Sequence, residues 1–169
     1  MKAAVLALLA LLVLLQGTWL PNVRVFGVMP DAVLLAITSW AVLLGGVAVV
    51  PVAAVAGVAL DVVAGTPLGQ SAAALLVAVL ATGWWRGTIL YRGIGIYVVA
   101  AGVATLAYDG TLLVAMQTFH QLVNWPVALR AVIAPSAVLN GILAIPTGYG
   151  CAWLARRLGL LHTVAAARA

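Results

Sequence analysis

Charge is scarce in this sequence. Of its 169 residues only three are acidic, namely Asp31, Asp61 and Asp109, and there is no glutamate at all. Charged residues make up 7% of the chain and apolar residues 66%, whereas a water-soluble domain carries about 25% charged residues to cover its surface. The scarcity excludes an ordinary soluble domain and predicts that lipid is the main solvent of this protein.

Residues that carry chemistry are equally rare, with one cysteine and two histidines. A lone thiol at Cys151 cannot form an internal disulfide, and His120 and His162 have no Cys, Asp or Glu at the spacing of a metal site. The sequence also contains no phosphate-binding loop and no nucleophile elbow. We therefore expect no metal, no cofactor and no enzymatic activity.

Basic residues outnumber acidic ones and give a net charge of +5. In a soluble protein this excess would indicate nucleic-acid binding, but here the basic residues flank apolar runs, where positive charge sets the orientation of membrane helices. We therefore expect this chain to lie in a lipid bilayer and not to bind nucleic acid.

The apolar runs are continuous and lack the alternation of a membrane-spanning strand, which predicts helices that satisfy their own backbone in lipid. The fold class is therefore an all-α integral membrane protein, a single helical domain over residues 1–169. We expect a compact bundle of about six transmembrane helices. The predicted spans are roughly 3–20, 31–44, 47–64, 68–85, 93–118 and 127–154.

The second and third spans come from one long stretch between Asp31 and Ala64. As one helix it would be about 51 Å long, too long for a ~30 Å hydrocarbon core. Gly45-Gly46, followed by Pro51, predicts a tight break between two short helices. In the last span, Pro135 and Pro146 predict a kink.

Orientation follows from the basic residues. With six spans and a cytoplasmic N-terminus, the positive-inside rule is satisfied. Six basic residues then lie in the cytoplasm, Lys2, Arg86, Arg92, Arg156, Arg157 and Arg168, against Arg24 and Arg130 outside. A five-span arrangement with an external N-terminus satisfies the rule equally well, so charge alone does not choose between the two.

Asp61 stands four residues before Gly65 and the turn Gly65-Thr66-Pro67-Leu68-Gly69. One interpretation is a carboxylate at a helix end that accepts hydrogen bonds from the turn. In that case Pro67 limits the freedom of the turn, and Gly65 and Gly69 let a partner approach closely. The other interpretation is a recognition element on the outer face.

Asp109 lies deep in the fifth span, where a charge is costly unless it faces protein, water or a partner. We expect it to pair with Asn140 or Arg130 of the last span, with a ligand contact as the alternative. An intramembrane protease dyad of Asp61 and Asp109 is disfavoured, because neither aspartate has the flanking residues of lipoprotein signal peptidases.

The remaining polar and small residues have structural interpretations. Pro30-Asp31 is predicted to open the second helix, with proline in the first turn and the aspartate facing the positive helix end. Gly57, four residues after Ala53, and Gly141 beside Asn140 are predicted to let neighbouring helices approach closely.

Three stretches, in chain order, resemble the MreD family of rod shape-determining membrane proteins. The first is GVALDVVAGTPLGQSAAAL, residues 57–75, in which an apolar-apolar-Asp step is followed by Gly, a turn and Leu-Gly. The second is VFGVMPD, residues 25–31, which precedes an aliphatic run. The third is LNGIL, residues 139–143, with Pro146 and the exit Arg156-Arg157.

The resemblance implies a non-enzymatic subunit of the bacterial cell-elongation (rod) complex in the inner (cytoplasmic) membrane. It implies binding to MreC, work with the SEDS glycosyltransferase and the class B penicillin-binding protein, and an indirect link to the MreB cytoskeleton. MreD proteins are also similar to the substrate-binding subunits of energy-coupling-factor vitamin transporters, which are six-helix bundles. Such a transporter subunit is the alternative function.

Overall fold

The computed structural model describes residues 2–25, 27–83, 95–118, 124–157 and 159, with side chains from residue 7 onward. All regular secondary structure in these ranges is helical. The predicted basic loop with Arg86 and Arg92, both histidines and Arg168 lie outside the described residues.

Six helices make up the described chain, each with ends within one helical turn of the predicted limits. The sixth, from Trp125 to Arg157, contains a π-helical segment at Leu129–Ile133. The others are α1 (Lys2–Thr18), α2 (Ala32–Leu44), α3 (Gly46–Ala64), α4 (Gln70–Gly83) and α5 (Gly95–Thr118); the sixth is α6 (Trp125–Arg157).

Three of these helices, α3, α5 and α6, are long and apolar enough to cross a membrane. The other three are apolar but shorter. At 1.5 Å per residue the 13 residues of α2 extend only about 20 Å, less than the ~30 Å hydrocarbon core. The chain is therefore a helical bundle with membrane-spanning capacity in half of its helices.

The short helix α2 is the centre of the bundle. Every residue from Val33 to Ala41 is buried, and α2 contacts each of the other five helices. A helix that is apolar on all sides is stable only when protein or lipid surrounds it completely. Protein therefore surrounds α2 over these nine residues.

The breaks in the helices have local causes. Gly45 ends α2 with a φ of 101°, a conformation that favours glycine, and α3 begins at the next residue. The π-helical segment of α6 lies just before Pro135, whose ring nitrogen cannot donate to the carbonyl four residues earlier. The proline thus changes the hydrogen-bond pattern of the helix where the sequence predicts a kink.

Helices α3 and α4 pack backbone against backbone at Gly57. A Cβ placed on Gly57 would lie 2.5 Å from the amide nitrogen of Ala72 and closer still to its Cα. Real Cβ atoms essentially never come within 3.0 Å of such atoms. The close approach that the sequence predicts at Gly57 is therefore present, and Ala53, one turn away, is fully buried.

Candidate functional site

Asp61 organises the turn between α3 and α4, and we call Asp61 with residues 65–69 the Asp61 corner. Its Oδ2 accepts a hydrogen bond from the Gly69 amide at 2.8 Å. Its Oδ1 accepts from the Thr66 hydroxyl at 3.0 Å and from the Ser71 amide at 2.9 Å. One buried carboxylate thus binds three donors, so the predicted hydrogen bonds to the turn are present.

The two glycines of the corner are required by backbone conformation. Gly65 ends α3 in the left-handed region with a φ of 66°, and Gly69 has a φ of 96°. A Cβ at either position would meet nothing within 4 Å, so the constraint is conformational and not steric. The predicted role of both glycines in admitting a partner is separate from this requirement and stays a prediction.

Residues 62–68 are exposed on the outside of the corner, whereas Asp61 itself has no exposed surface. Leu68 is 74% exposed. The carboxylate is therefore covered by the protein, and a recognition element on the outer face of the corner stays a prediction. Any partner of the corner would contact the turn, whose shape Asp61 maintains.

A second set of polar side chains connects four helices, and we call Gln16, Asp31, Thr105 and Asn140 the four-helix polar network. Gln16 of α1 donates to Asp31 Oδ1 at 2.8 Å and accepts from the Val33 amide at 2.8 Å. Asn140 of α6 accepts from the Asp31 amide at 3.2 Å and donates to the Thr105 hydroxyl of α5 at 3.1 Å. The network fixes how α1, α2, α5 and α6 meet.

Asp31 is the N-cap of α2, since its carboxylate accepts from the Leu34 amide at 2.9 Å. The predicted capping role is therefore present. Pro30 differs from its prediction: it precedes the cap and does not occupy the first turn. The Asp31 carboxylate accepts from the amide of Leu34, the third residue of α2, and this geometry requires non-helical backbone at Asp31. Asp31 therefore precedes the helix, and Pro30 lies outside it.

The predicted pairing of Asp109 is wrong. Its Oδ2 is buried without a hydrogen-bond partner in the part of the chain that the structure describes. Asn140 is occupied by Asp31 and Thr105, and Arg130 is exposed in the π-helical segment. Asp61 accepts hydrogen bonds from Thr66, Gly69 and Ser71, and it does not line the cavity that Asp109 lines.

Asp109 instead lines a cavity of about 340 Å³ between α1, α5, α6 and the connector that leads to α2. The structure brings Asp31 and Asp109 together there, with Arg24 also on the lining. The other polar groups are contributed by Gln16, Tyr108, Ser136 and Asn140. We call this space the polar cavity. An adjacent cavity of about 380 Å³, which extends to Ser71 at the start of α4, shares the lining residues Gln16, Pro21, Met29 and Tyr108.

Gly141 does not have its predicted role. A Cβ there would meet only a Val98 methyl at 3.6 Å, an ordinary contact. The close approach of α5 and α6 occurs at Gly148, where a Cβ would lie 2.6 Å from the Tyr97 ring. The two glycines differ because Gly148 faces the bulky aromatic ring of Tyr97, whereas Gly141 faces the smaller Val98.

Sequence reasoning missed Gln16, Thr105, Tyr108 and Ser136. Gln16 carried a usable signal, because it is the one strongly polar side chain in the apolar run of α1. Thr105 carried none, since a threonine in a helix usually bonds to the carbonyl one turn earlier, as Thr105 also does. Only the packing of α5 against α6 gives it a second partner.

Fold and site together define a helical bundle with three helices fit to cross a membrane and a polar cavity inside it. Comparisons with protein-family models, curated proteins and solved structures found no match to this chain. The MreD resemblance therefore stays a prediction.

The hydrogen bond between Asn140 and Thr105 is open to a double-mutant cycle. We expect Asn140→Leu and Thr105→Val to be non-additive by about 0.6 to 1.7 kcal/mol, the range of interhelical hydrogen bonds in membranes. The measurement is the free energy of unfolding during SDS titration in mixed micelles. Asn140→Leu with Thr66→Val should be additive, because Thr66 belongs to the Asp61 corner and shares no hydrogen-bond partner with Asn140. Additivity in the first cycle would contradict the assigned bond.

Proposed function

We propose that this chain is a non-enzymatic membrane subunit of the bacterial rod complex. In this proposal it binds MreC and helps to regulate lateral peptidoglycan synthesis and cell shape. It lies in the inner (cytoplasmic) membrane as a multi-pass protein with both termini in the cytoplasm, the orientation that the positive-inside rule favours.

The observation that carries the proposal is the form of the Asp61 corner. The stretch that resembles the MreD family forms a turn that is exposed outside and hydrogen-bonded to a buried carboxylate beneath. A turn with a fixed shape loses little conformational entropy when a partner binds it, which favours recognition. In the proposed orientation this turn lies on the outer face of the membrane.

On this proposal the subunit binds MreC and passes its state to the enzymes of wall synthesis. The SEDS glycosyltransferase and the class B penicillin-binding protein are the neighbours on the synthetic side. The MreB cytoskeleton is linked indirectly. The exposed leucine of the turn, Leu68, offers an apolar contact that a partner would bury.

The test is recovery of MreC with the tagged chain from native membranes. We expect Leu68→Ser to reduce recovery severalfold, because burial of a leucine side chain contributes about 1.5–3 kcal/mol. Val47→Ser is the matched control, since Val47 is 86% exposed but lies at the opposite end of α3. Membrane levels of both variants must equal the wild type.

Equal recovery of MreC with Leu68→Ser and with the wild type would exclude the corner as its binding surface. No recovery of any wall-synthesis protein with the wild type, together with recovery of a transporter ATPase module, would replace the scaffold proposal by the alternative function.

That alternative, a substrate-binding subunit of an energy-coupling-factor transporter, is favoured by one observation. The polar cavity lies at the end of the bundle where α1 ends and α2 begins, which is the outer end in the proposed orientation. Its volume is within the range of about 300–1,000 Å³ that is typical of small-molecule sites.

A further inference from the structure

The polar cavity is lined by the Asp109 carboxylate, to which no described residue donates a hydrogen bond. Of the three aspartates, Asp61 binds three donors and Asp31 binds two, yet Asp109 Oδ2 is buried and unpaired among the described residues. Buried polar atoms in proteins almost always have a partner, because desolvation without one is costly. A missing donor at a cavity wall indicates a donor supplied by a ligand.

Charge defines the kind of donor. The lining carries two carboxylates, Asp31 and Asp109, against one guanidinium, Arg24, which is exposed. Inside the cavity the wall is therefore acidic and rich in hydrogen-bond acceptors. A protonated amine has up to three N–H donors and no acceptor, so it complements this wall better than a neutral hydroxyl or an anion does.

Size excludes a bare metal ion as the best occupant. The cavity of about 340 Å³ is far larger than one cation with its ligands, and the described residues include no group of three His, Cys, Asp or Glu around one point. Its wall also contains the apolar side chains of Met29, Leu112 and Val132, which would contact a hydrocarbon body.

We infer that the polar cavity binds a small organic amine in its protonated form. The ammonium group donates to the Asp109 carboxylate beside Asp31, and the apolar part of the ligand contacts the aliphatic wall. The inference goes beyond the scaffold role. If the chain is instead a transporter subunit, the inference rests on that function and names the class of its substrate. Amine binding tests this inference and MreC recovery tests the scaffold proposal, so either one can fail while the other holds.

Three probes that share one ring test which charge of the polar group the cavity prefers. Cyclohexylamine, cyclohexanol and cyclohexanecarboxylate share a ring but are cationic, neutral and anionic near pH 7. Binding to the purified full chain in detergent is measured by titration calorimetry and by the shift in Tm. We expect cyclohexylamine to bind at least about tenfold more tightly than cyclohexanol, since hydrogen bonds to charged groups contribute about 1.5–3 kcal/mol. The carboxylate should bind most weakly.

Two variants on the same lining separate the carboxylate from general changes in the cavity. Asp109→Asn should remove the preference for the amine. Arg24→Gln, which removes the positive charge instead, should leave amine binding unchanged or make it tighter. Without ligand, Asp109→Asn should keep or raise the Tm, because the carboxylate that it removes has no partner among the described residues.

The inference is overturned if the three probes bind equally, if none binds saturably, or if Asp109→Asn retains the full preference for the amine. A Tm of unliganded Asp109→Asn well below the wild type would also overturn it, because the carboxylate would then have a structural role.

Discussion

Gly57→Ala is expected to lower the Tm of the purified protein strongly or to prevent its accumulation in the membrane. The added methyl group would lie 2.5 Å from the Ala72 amide nitrogen and 2.9 Å from the Ala72 Cβ. Overpacking usually costs about 1–3 kcal/mol because side chains move aside. Here the obstructing atoms are backbone atoms of α4, so the helices themselves must separate, and we expect a loss at the upper end of that range.

Gly102→Ala is the matched control, because a Cβ at this helical glycine of α5 meets nothing within 4 Å. Alanine is also favoured over glycine in a helix by up to about 1 kcal/mol. The Tm of this variant should therefore equal or exceed that of the wild type. A Gly57→Ala protein as stable as Gly102→Ala would mean that α3 and α4 do not pack as closely as described.

Asp61→Leu is expected to produce the second large effect, a loss of about 3 kcal/mol or more in the free energy of unfolding. The change removes three hydrogen bonds to a charged group, each worth about 1.5–3 kcal/mol, and leaves the Gly69 and Ser71 amides without their acceptor. The measurement is SDS titration in mixed micelles, with MreC recovery as a second readout at matched membrane levels.

Asp61→Asn should lie between the wild type and Asp61→Leu. The sequence alone predicts that asparagine keeps most of the geometry, because an amide oxygen still accepts. In the structure both carboxylate oxygens accept, so one of them would become an N–H₂ group facing another donor, and at least one hydrogen bond is lost.

Thr66→Val is the control for a single lost bond, because it removes the hydroxyl that donates to Asp61 Oδ1 and leaves the Gly69 and Ser71 amide donors in place. We expect it to cost less than Asp61→Asn. If Asp61→Leu is no less stable than Thr66→Val, the carboxylate does not hold the turn.

Much of the helical architecture could be predicted from the sequence because its causes are local. Continuous apolar runs predict helices, Gly45 and Gly65 mark helix ends through their left-handed φ, and Pro135 marks the changed hydrogen-bond pattern of α6. The hydrogen bonds of Asp61 were also predictable, because its partners lie within ten residues of it in the chain. Local spacing is enough when donor and acceptor belong to one turn.

The identity of the pairs between distant helices was not predictable. Asn140 bonds with Asp31 and Thr105, which are separated from it by 109 and 35 residues in the chain. It does not form the bond with Asp109 that the sequence predicted. Likewise, Gly148 and not Gly141 faces the bulky Tyr97 ring. Rotation of each helix about its axis decides such contacts, and packing against several neighbours sets that rotation.

The sequence by itself determined that this is a helical protein with lipid-compatible helices, and that Asp61 binds its own turn, because composition and short-range spacing control both. Only the tertiary structure decided that α2 is central, that four helices share one polar network, and that Asp109 lines a cavity without a partner in the described part of the chain. These features depend on which helix faces are buried together, and that choice is made by the packing of the whole bundle.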